Sequence, residues 1–471
     1  MSFFRNYDRM GATSEEMAGD NVVDVWIATG RDQAQVLRNL INNDFTREYG
    51  IAVNLQLVAG GTLLPSVLSG MGPDVYIGLS EDNVINYAIR GALLPVDGHE
   101  GFAEFALEYE YELDDKGNLT NQKKKDAQGN YIKNPATNFN EAAMIVLGIE
   151  NADGEFHYYG LPETQGFNMM FVRTDVLADL DIEIPRTWDD VLQAQQLLQA
   201  NNMEIGMHTD YKVFLYQMGG ELFADDGMRI NLDSDVGLEA FDTMCSFFTM
   251  YSFPYSYDFA NRFRTGEMPI VIGDYVGTYN TLVVFATEIA GLWTFSSIPG
   301  TVRTVLNEQG EEETILDYTA TVGITSAVIT KSGEDRLQDA WQYVKWCTGA
   351  DYIAEYANRM VALIGPSAKY AGANLDAIEN MSWTTAEVRA IKDQMDHLAA
   401  VVNYPGYYII GRYTEFAFLA AVNNGEKPAD AIRGYVDAIN AEITRKREEF
   451  GMETLAPGET PPGYEDGTPA S

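Results

Sequence analysis

At 471 residues the chain is too long for one ordinary core, which points to two lobes or domains. Its 70 acidic and 31 basic residues give a net charge of −39, which argues against nucleic-acid backbones, anionic membrane surfaces and anionic polymers as partners. Hydrophobic residues at 46% and aromatics at 12% supply apolar surface for sizeable cores, so the charge reads as a solubilising surface.

Residues 1–20 are polar and contain glycine, as an arm or linker does. The stretch Val22–Pro95 then organises the rest. Val22–Ile27 is a short β-branched run followed by Gly30, and Leu37, Leu40, Ile41 and Phe45 recur at helical spacing. Ile51–Val58 alternates apolar and polar residues, and Val75–Ile77 follows the turn signal Gly-Pro-Asp. Strands alternating with helices imply βαβ units and a mostly parallel sheet, the α/β class. Ligands of such sheets bind beyond the carboxyl ends of the strands, here Trp26–Asp32, Ala59–Leu63 and Leu79–Asn83.

Gly101–Tyr159 breaks this pattern with the turn-rich DDKGN and NADGE and the lysines of Gln122–Asp126, and reads as an insertion of hairpins or surface loops. Asp114, Asp115 and Asn118 lack the spacing and closing Glu of a calcium loop and read as turns. Thr187 before Trp188-Asp189-Asp190 is a helix N-cap with acids in the first turn, and Trp188, Val191, Leu192 and Leu198 give that helix a buried face. Helices follow at Val236–Tyr251, Thr385–Val401, Thr414–Val422 and Pro428–Phe450, and the Pro-, Gly- and acid-rich tail after Gly451 reads as disordered.

Cys245 and Cys347 each sit in an amphipathic run and read as free core thiols. The sequence holds no HExxH, GxSxG or P-loop, and His99, His157, His208 and His397 have no metal-ligand spacing, so no catalytic, metal or cofactor site is expected. Paired carboxylates suited to glycoside hydrolysis carry little weight among 70 acids.

Several segments in order, GPDV with a polar loop and YAIRGALLPVD, then YYGLPETQGFNMMFVRTDVL, IPRTWDDVL, NRFRTGEMPIVIGDYVGTYNTL and GLWTFSSIPG, resemble the extracellular solute-binding proteins of ABC importers. The likeness is to family 1, the class that includes maltose-binding protein, and covers Val22 to Gly451 apart from the insertion. It implies a two-lobed, periplasmic-binding-protein-like fold of type II, with mixed sheets in both lobes joined by a hinge. The expected first lobe is 21–163 plus 320–361 and the second is 164–319 plus 362–450, with crossings near Pro162–Gln165, at DYTATVGITSAVITKS and at VALIGPSAKY. The family would work outside the cell, at the surface or in the periplasm, as a monomeric lipoprotein that passes a carbohydrate to permease subunits. MSFFRNYDRM lacks the apolar segment of a signal peptide, so an export signal and anchor would lie outside this chain.

A sugar needs flat apolar faces for its C–H surfaces and polar groups for its hydroxyls. Trp26 either stacks on a ligand or belongs to the core, and Thr29, Arg31 and Asp32 either bind or cap the next helix. Thr62 sits at a Gly-Gly turn, and Ser80, Glu81 and Asp82 fill a loop with polar family contacts, without an aromatic. Glu163, Thr164 and Gln165 lie at the first crossing, with hinge structure as the competing role. Tyr216 and Gln217 lie near a second-lobe loop, Asp274, Tyr275 and Tyr279 follow the IVIG strand, Tyr318 lies at the return crossing, and Tyr408 and Arg412 come from a late Gly-rich turn beside Tyr407. The function this implies is capture of a carbohydrate, an oligosaccharide, between two lobes. A glycan-degrading enzyme, a ligand-sensing subunit, and an amino-acid, peptide or metal ligand in the same cleft stay open as alternatives.

Overall fold

The apolar alternation at residues 22–27 becomes the first strand, with Val23, Val25 and Ile27 buried. The computed structural model describes residues 21–114, 117, 119–150, 155–208, 210–306 and 310–455. The arm at 1–20, Asp115, Asn118, most of NADGE and the tail from 456 lie outside the described residues.

In chain order, β1 (Val22–Ile27) is followed by α1 (Arg31–Leu40), β2 (Ala52–Leu57), α2 (Leu63–Leu68), β3 (Val75–Ser80) and α3 (Glu81–Ile89). The insertion holds two hairpins, Tyr111–Leu113 with Leu119–Lys123 and Gly148–Glu150 with Phe156–Tyr158. Next come β4 (Leu161–Arg173), α4 (Trp188–Gln199), β5 (Ile205–Gly206), α5 (Tyr211–Gln217) and α6 (Asp235–Thr249). They are followed by β6 (Ile270–Asp274), α7 (Tyr275–Phe285), β7 (Trp293–Ser296) and β8 (Ala320–Ile329). The chain finishes with α8 (Leu337–Cys347), α9 (Ala350–Ile364), α10 (Thr385–Met395), β9 (Leu398–Ala399), α11 (Ile410–Asn424) and α12 (Pro428–Glu449).

Two units divide the chain. Unit 1 is Met1–Phe167, Tyr275–Val284 and Val322–Asp396, and unit 2 is Asn168–Asp274, Phe285–Thr321 and His397–Ser471. In unit 1, β1 lies between β2 and β3 in parallel, β8 runs antiparallel to β3, and the first half of β4 runs antiparallel to β8. In unit 2, the second half of β4 lies antiparallel to both β6 and β7, while β5 is parallel to β6 and β9 to the start of β8. Both sheets are therefore mixed. The chain changes unit inside β4, after Phe167, and inside β8, after Thr321.

The third crossing differs from the sequence expectation: it falls after Asp396, not near residue 361. Contacts explain why. Helix α9 packs on α1, Tyr370 donates to Glu163 at 2.7 Å, and Asn140 Nδ2 donates to Met395 O at 3.4 Å, so residues 362–396 stay with unit 1. The start of α7 stays there as well, because Tyr275 stacks on Phe167 with ring centroids 4.5 Å apart.

Local signals mostly act as the residues dictate. Thr187 caps α4 by accepting from Asp190 N at 3.0 Å, and Asp190 returns a bond to Thr187 N at 2.9 Å, a capping box. Trp188, Val191 and Leu198 are buried below it, while Leu192 is half-buried. Trp188 packs on Phe214 at 4.7 Å and Phe247 at 5.5 Å, the aromatic centre of unit 2. After α1 the helix continues through a π turn at Ile41–Phe45, which shifts the buried stripe and sets Phe45 5.1 Å from both Tyr343 and Trp346. Cys245 and Cys347 are free and buried. Among the described residues no helix is long and apolar enough to cross a membrane.

Candidate functional site

The strand register concentrates polar groups at one place in unit 1. Thr325 of β8 is the partner of Ser80 on β3 and of Thr164 on β4, so three hydroxyl residues form one row across three strands. The Thr164 and Thr325 hydroxyls are 2.6 Å apart. Beside the row, Ile324 N donates to Glu81 Oε2 at 2.7 Å, and Asn83 Nδ2 donates to Ser80 Oγ at 2.9 Å.

Two bulges flank Thr325. The pairing of β8 with β3 skips Gly78, whose φ of 86° suits glycine, and the pairing with β4 skips Glu163. A Cβ on Gly78 would lie 3.8 Å from Glu163 Oε2, an ordinary contact, so the backbone angle and not the space calls for glycine here. Tyr370 OH donates to Glu163 Oε1 at 2.7 Å and Thr325 Oγ1 to Oε2 at 3.4 Å. Burial raises the Glu163 pKa above the ordinary 4.5, although both hydroxyls pull it down. Because the folded-state value is raised, the stabilising share of the neutral carboxyl is full below the unfolded value and is lost as pH rises through the folded one. Glu163→Gln should therefore match the wild type in melting temperature near pH 4 and gain on it progressively towards pH 7. A melting-temperature difference that stays constant over that range would refute the raised pKa of Glu163.

An aromatic group stands in the same unit. Tyr275, at the start of α7, stacks on Phe167, and Trp383 lies 6.1 Å from Tyr275 and 5.1 Å from Tyr279, edge-on to the latter. Burial, then the charge and hydrogen bond of Glu387, push the Tyr279 hydroxyl up to about 12. Trp383 is half-buried, so part of its surface stays open. The sequence reading named Tyr275 and Tyr279 and did not name Trp383, Lys369 and Tyr370, which arrive from segments about 90 to 100 residues downstream.

Other expected residues in unit 1 are engaged locally. The Thr29 hydroxyl donates to Gln33 Oε1, which also accepts from Gly30 N at 2.9 Å, and the Thr62 hydroxyl donates to Ala59 O at 2.8 Å; both tie down helix starts. Arg31, Asp32 and Asp82 are exposed in first turns of α1 and α3. Trp26 is half-buried in β1 between Gln56 and Tyr76, and its ring N–H has no hydrogen-bond partner among the described residues. Gln165 is fully buried, donates to Asn140 Oδ1 at 3.2 Å, and leaves Oε1 without a hydrogen-bond partner among the described residues.

Of the residues expected in unit 2, Tyr216 lines one of two cavities, and Gln217, Tyr408 and Arg412 line neither. A cavity of about 340 Å³ is lined by Asp210, Tyr211 and Lys212 of the α5 start and by Tyr407, Gly411 and Thr414. Asp210 caps α5 through Lys212 N at 3.1 Å and accepts from Thr321 Oγ1 at 3.2 Å. The Tyr211 hydroxyl is buried without a hydrogen-bond partner among the described residues. A second cavity of about 800 Å³ is lined by Tyr216, Glu221, Asp225 and Tyr404 among others.

Gln217 is corrected. Its side chain is wholly buried, accepting from Trp188 Nε1 at 2.7 Å and Thr301 Oγ1 at 3.0 Å and donating to Pro299 O at 3.0 Å and Thr319 O at 3.2 Å. An amide spent in this way has nothing left for a solute. Tyr408 is corrected too: it points its hydroxyl at Glu442, while its neighbour Tyr407 lines the smaller cavity. Tyr318 packs on His397, tilted by 31° with ring centroids 4.0 Å apart, and Arg412 and Asp274 are exposed. Among the described residues no group of three or more His, Cys, Asp or Glu is placed to hold a metal ion.

Two α/β units on mixed sheets, entered and left through shared strands and carrying polar and aromatic groups at strand ends, define the periplasmic-binding-protein-like class. The chain belongs to the bacterial extracellular solute-binding protein family, whose model matches residues 28–354. Its structure resembles the sugar-binding protein MalE of Xanthomonas citri, with a TM-score of 0.68 at 16% identity, covering 92% of this chain and 100% of that one. It also resembles the maltose-binding periplasmic protein MalE of Listeria monocytogenes in complex with maltose, with a TM-score of 0.64, 16% identity, and 91% and 99% coverage. A third likeness is an ABC transporter solute-binding protein of Thermotoga lettingae bound with α-D-tagatose, at 0.61, 18%, 90% and 100%. At such identities the likeness establishes the fold. No curated protein sequence matches this chain.

Proposed function

We propose that this solute-binding protein captures a carbohydrate, an oligosaccharide, outside the membrane and passes it to the permease of an ABC importer. Binding without turnover, by a monomeric protein held at the surface by a lipid, completes the proposal. The observation that carries it is the aromatic group Tyr275, Tyr279 and Trp383, in the same unit as the hydroxyl row Ser80, Thr325 and Thr164. Aromatic faces suit the C–H side of a pyranose, and hydroxyls and carboxylates satisfy its rim, where an unpaired buried partner costs about 1–3 kcal/mol. The sugars named with the similar structures, maltose and tagatose, support the same class.

A thermal-shift screen across neutral oligosaccharides, peptides, amino acids and divalent metals tests this reading. A solute at about 100 times its Kd adds about 2.7 kcal/mol. The expected result is a raised melting temperature with an oligosaccharide and none with the other classes. A shift confined to peptides or metals would overturn it.

A further inference from the structure

In a chain with 70 acidic residues, a half-buried lysine without a carboxylate partner stands out. Lys345, over Phe105, is one such residue, and Lys369, over two rings, is another. The Lys369 ammonium lies 4.4 Å from the Trp383 ring centroid and 5.7 Å from that of Tyr279, and among the described residues no carboxylate reaches it within ion-pair distance. Other lysines do find acids: Lys123 pairs with Glu141 at 2.6 Å, Lys133 with Glu108 at 3.0 Å and Lys446 with Glu449 at 2.8 Å. The acid whose charge acts on Lys369, Glu387, is committed to Thr384 N at 2.8 Å and to the Tyr279 hydroxyl.

Lys369 is also held in place. Asn280 of α7 accepts from Lys369 N at 3.1 Å and donates to Lys369 O at 3.0 Å. On one side Gly365, with φ of 113°, and the turn Pro366–Ala368 end the preceding helix; on the other, Tyr370 is anchored on Glu163. The backbone is thus fixed at both ends while the ammonium rests on the ring that the proposed solute would use. Burial lowers the Lys369 pKa and the Glu387 charge raises it, which describes a cation short of solvation.

We infer that Lys369 pairs with an anionic group of the solute, a uronate carboxylate or a sugar phosphate, while the sugar ring packs on Trp383. The inference rests on the carbohydrate reading above and narrows it to acidic sugars. The net charge of −39 does not oppose this for a short solute, because exposed charges are screened beyond roughly 8–10 Å at physiological salt. A desolvated cation beside the ring acts within that distance.

Titration calorimetry of the wild type, Lys369→Met and Lys369→Arg with trigalacturonate, trimannuronate, galactotriose, mannotriose and glucose 6-phosphate decides the matter. The expected result is that an anionic sugar binds at least tenfold more tightly than its neutral counterpart. Lys369→Met should abolish that preference, Lys369→Arg should restore most of it, and added salt should weaken it. Preference for a uronate trisaccharide or for glucose 6-phosphate identifies the source of the anion. Equal affinity for charged and neutral sugars, or a Lys369→Met variant with the wild-type preference, overturns the inference and leaves the carbohydrate reading standing. Failure of every sugar here and in the thermal-shift screen overturns both.

Discussion

Trp383→Ala should weaken binding of the carbohydrate that most raises the melting temperature by about 30- to 100-fold, equivalent to roughly 2–3 kcal/mol at 1.4 kcal/mol per tenfold. The ring is half-buried beside Tyr275 and Tyr279, and its removal deletes both the proposed stacking surface and the ring that carries the Lys369 ammonium. Because the side chain is only half-buried, the stability cost should be small, about 1 kcal/mol. Trp383→Phe should retain part of the affinity, since an aromatic face remains. Calorimetric titration checks the first value and urea denaturation the second. An affinity within twofold of wild type would remove Trp383 from the site.

The second large effect concerns stability. Gln217→Leu should destabilise the protein by about 3–5 kcal/mol, because Trp188 Nε1 and Thr301 Oγ1 lose an acceptor, and Pro299 O and Thr319 O lose a donor, inside unit 2. Leucine matches the volume and satisfies none of these groups. The denaturation midpoint should fall, while the affinity of the folded protein for its solute stays as in wild type. Lost binding at unchanged stability would return Gln217 to the list of solute contacts.

These two residues show what was legible in the sequence. Strands β1, β2 and β3 could be read because period-2 alternation and the Gly-Pro-Asp turn are local signals, and the Thr187 capping box is a four-residue pattern. Tyr275 and Tyr279 were readable as residues following a strand. Gln217 was misread because a buried amide and a solute-facing amide look alike in sequence; only its partners, up to 102 residues away, decide between them. The bulges at Gly78 and Glu163 depend on the register of β8, a strand that arrives late in the chain. Tyr216 and Gln217 were read as lying near a second-lobe loop, whereas they end helix α5, whose N-terminal Asp210 and Tyr211 line the smaller cavity. Trp383 and Lys369 carried no signal of their own, since their contacts with Tyr279 and Asn280 span 104 and 89 positions.

The late segment that stays with unit 1 follows the same logic. Residues 362–396 looked like a return to the second lobe by family order, yet Tyr370, Ala373 and Met395 are tied by hydrogen bonds to Glu163 and Asn140. Long-range polar anchoring, invisible to hydropathy, sets that boundary.

Amide hydrogen exchange, compared with and without the best-binding sugar of the thermal-shift screen, tests most directly whether the strand ends of unit 1 hold the solute. Slowed exchange at residues 80–83, 275–280 and 369–384 is the predicted outcome. Unchanged exchange in all three segments, with protection elsewhere at saturating sugar, would contradict it.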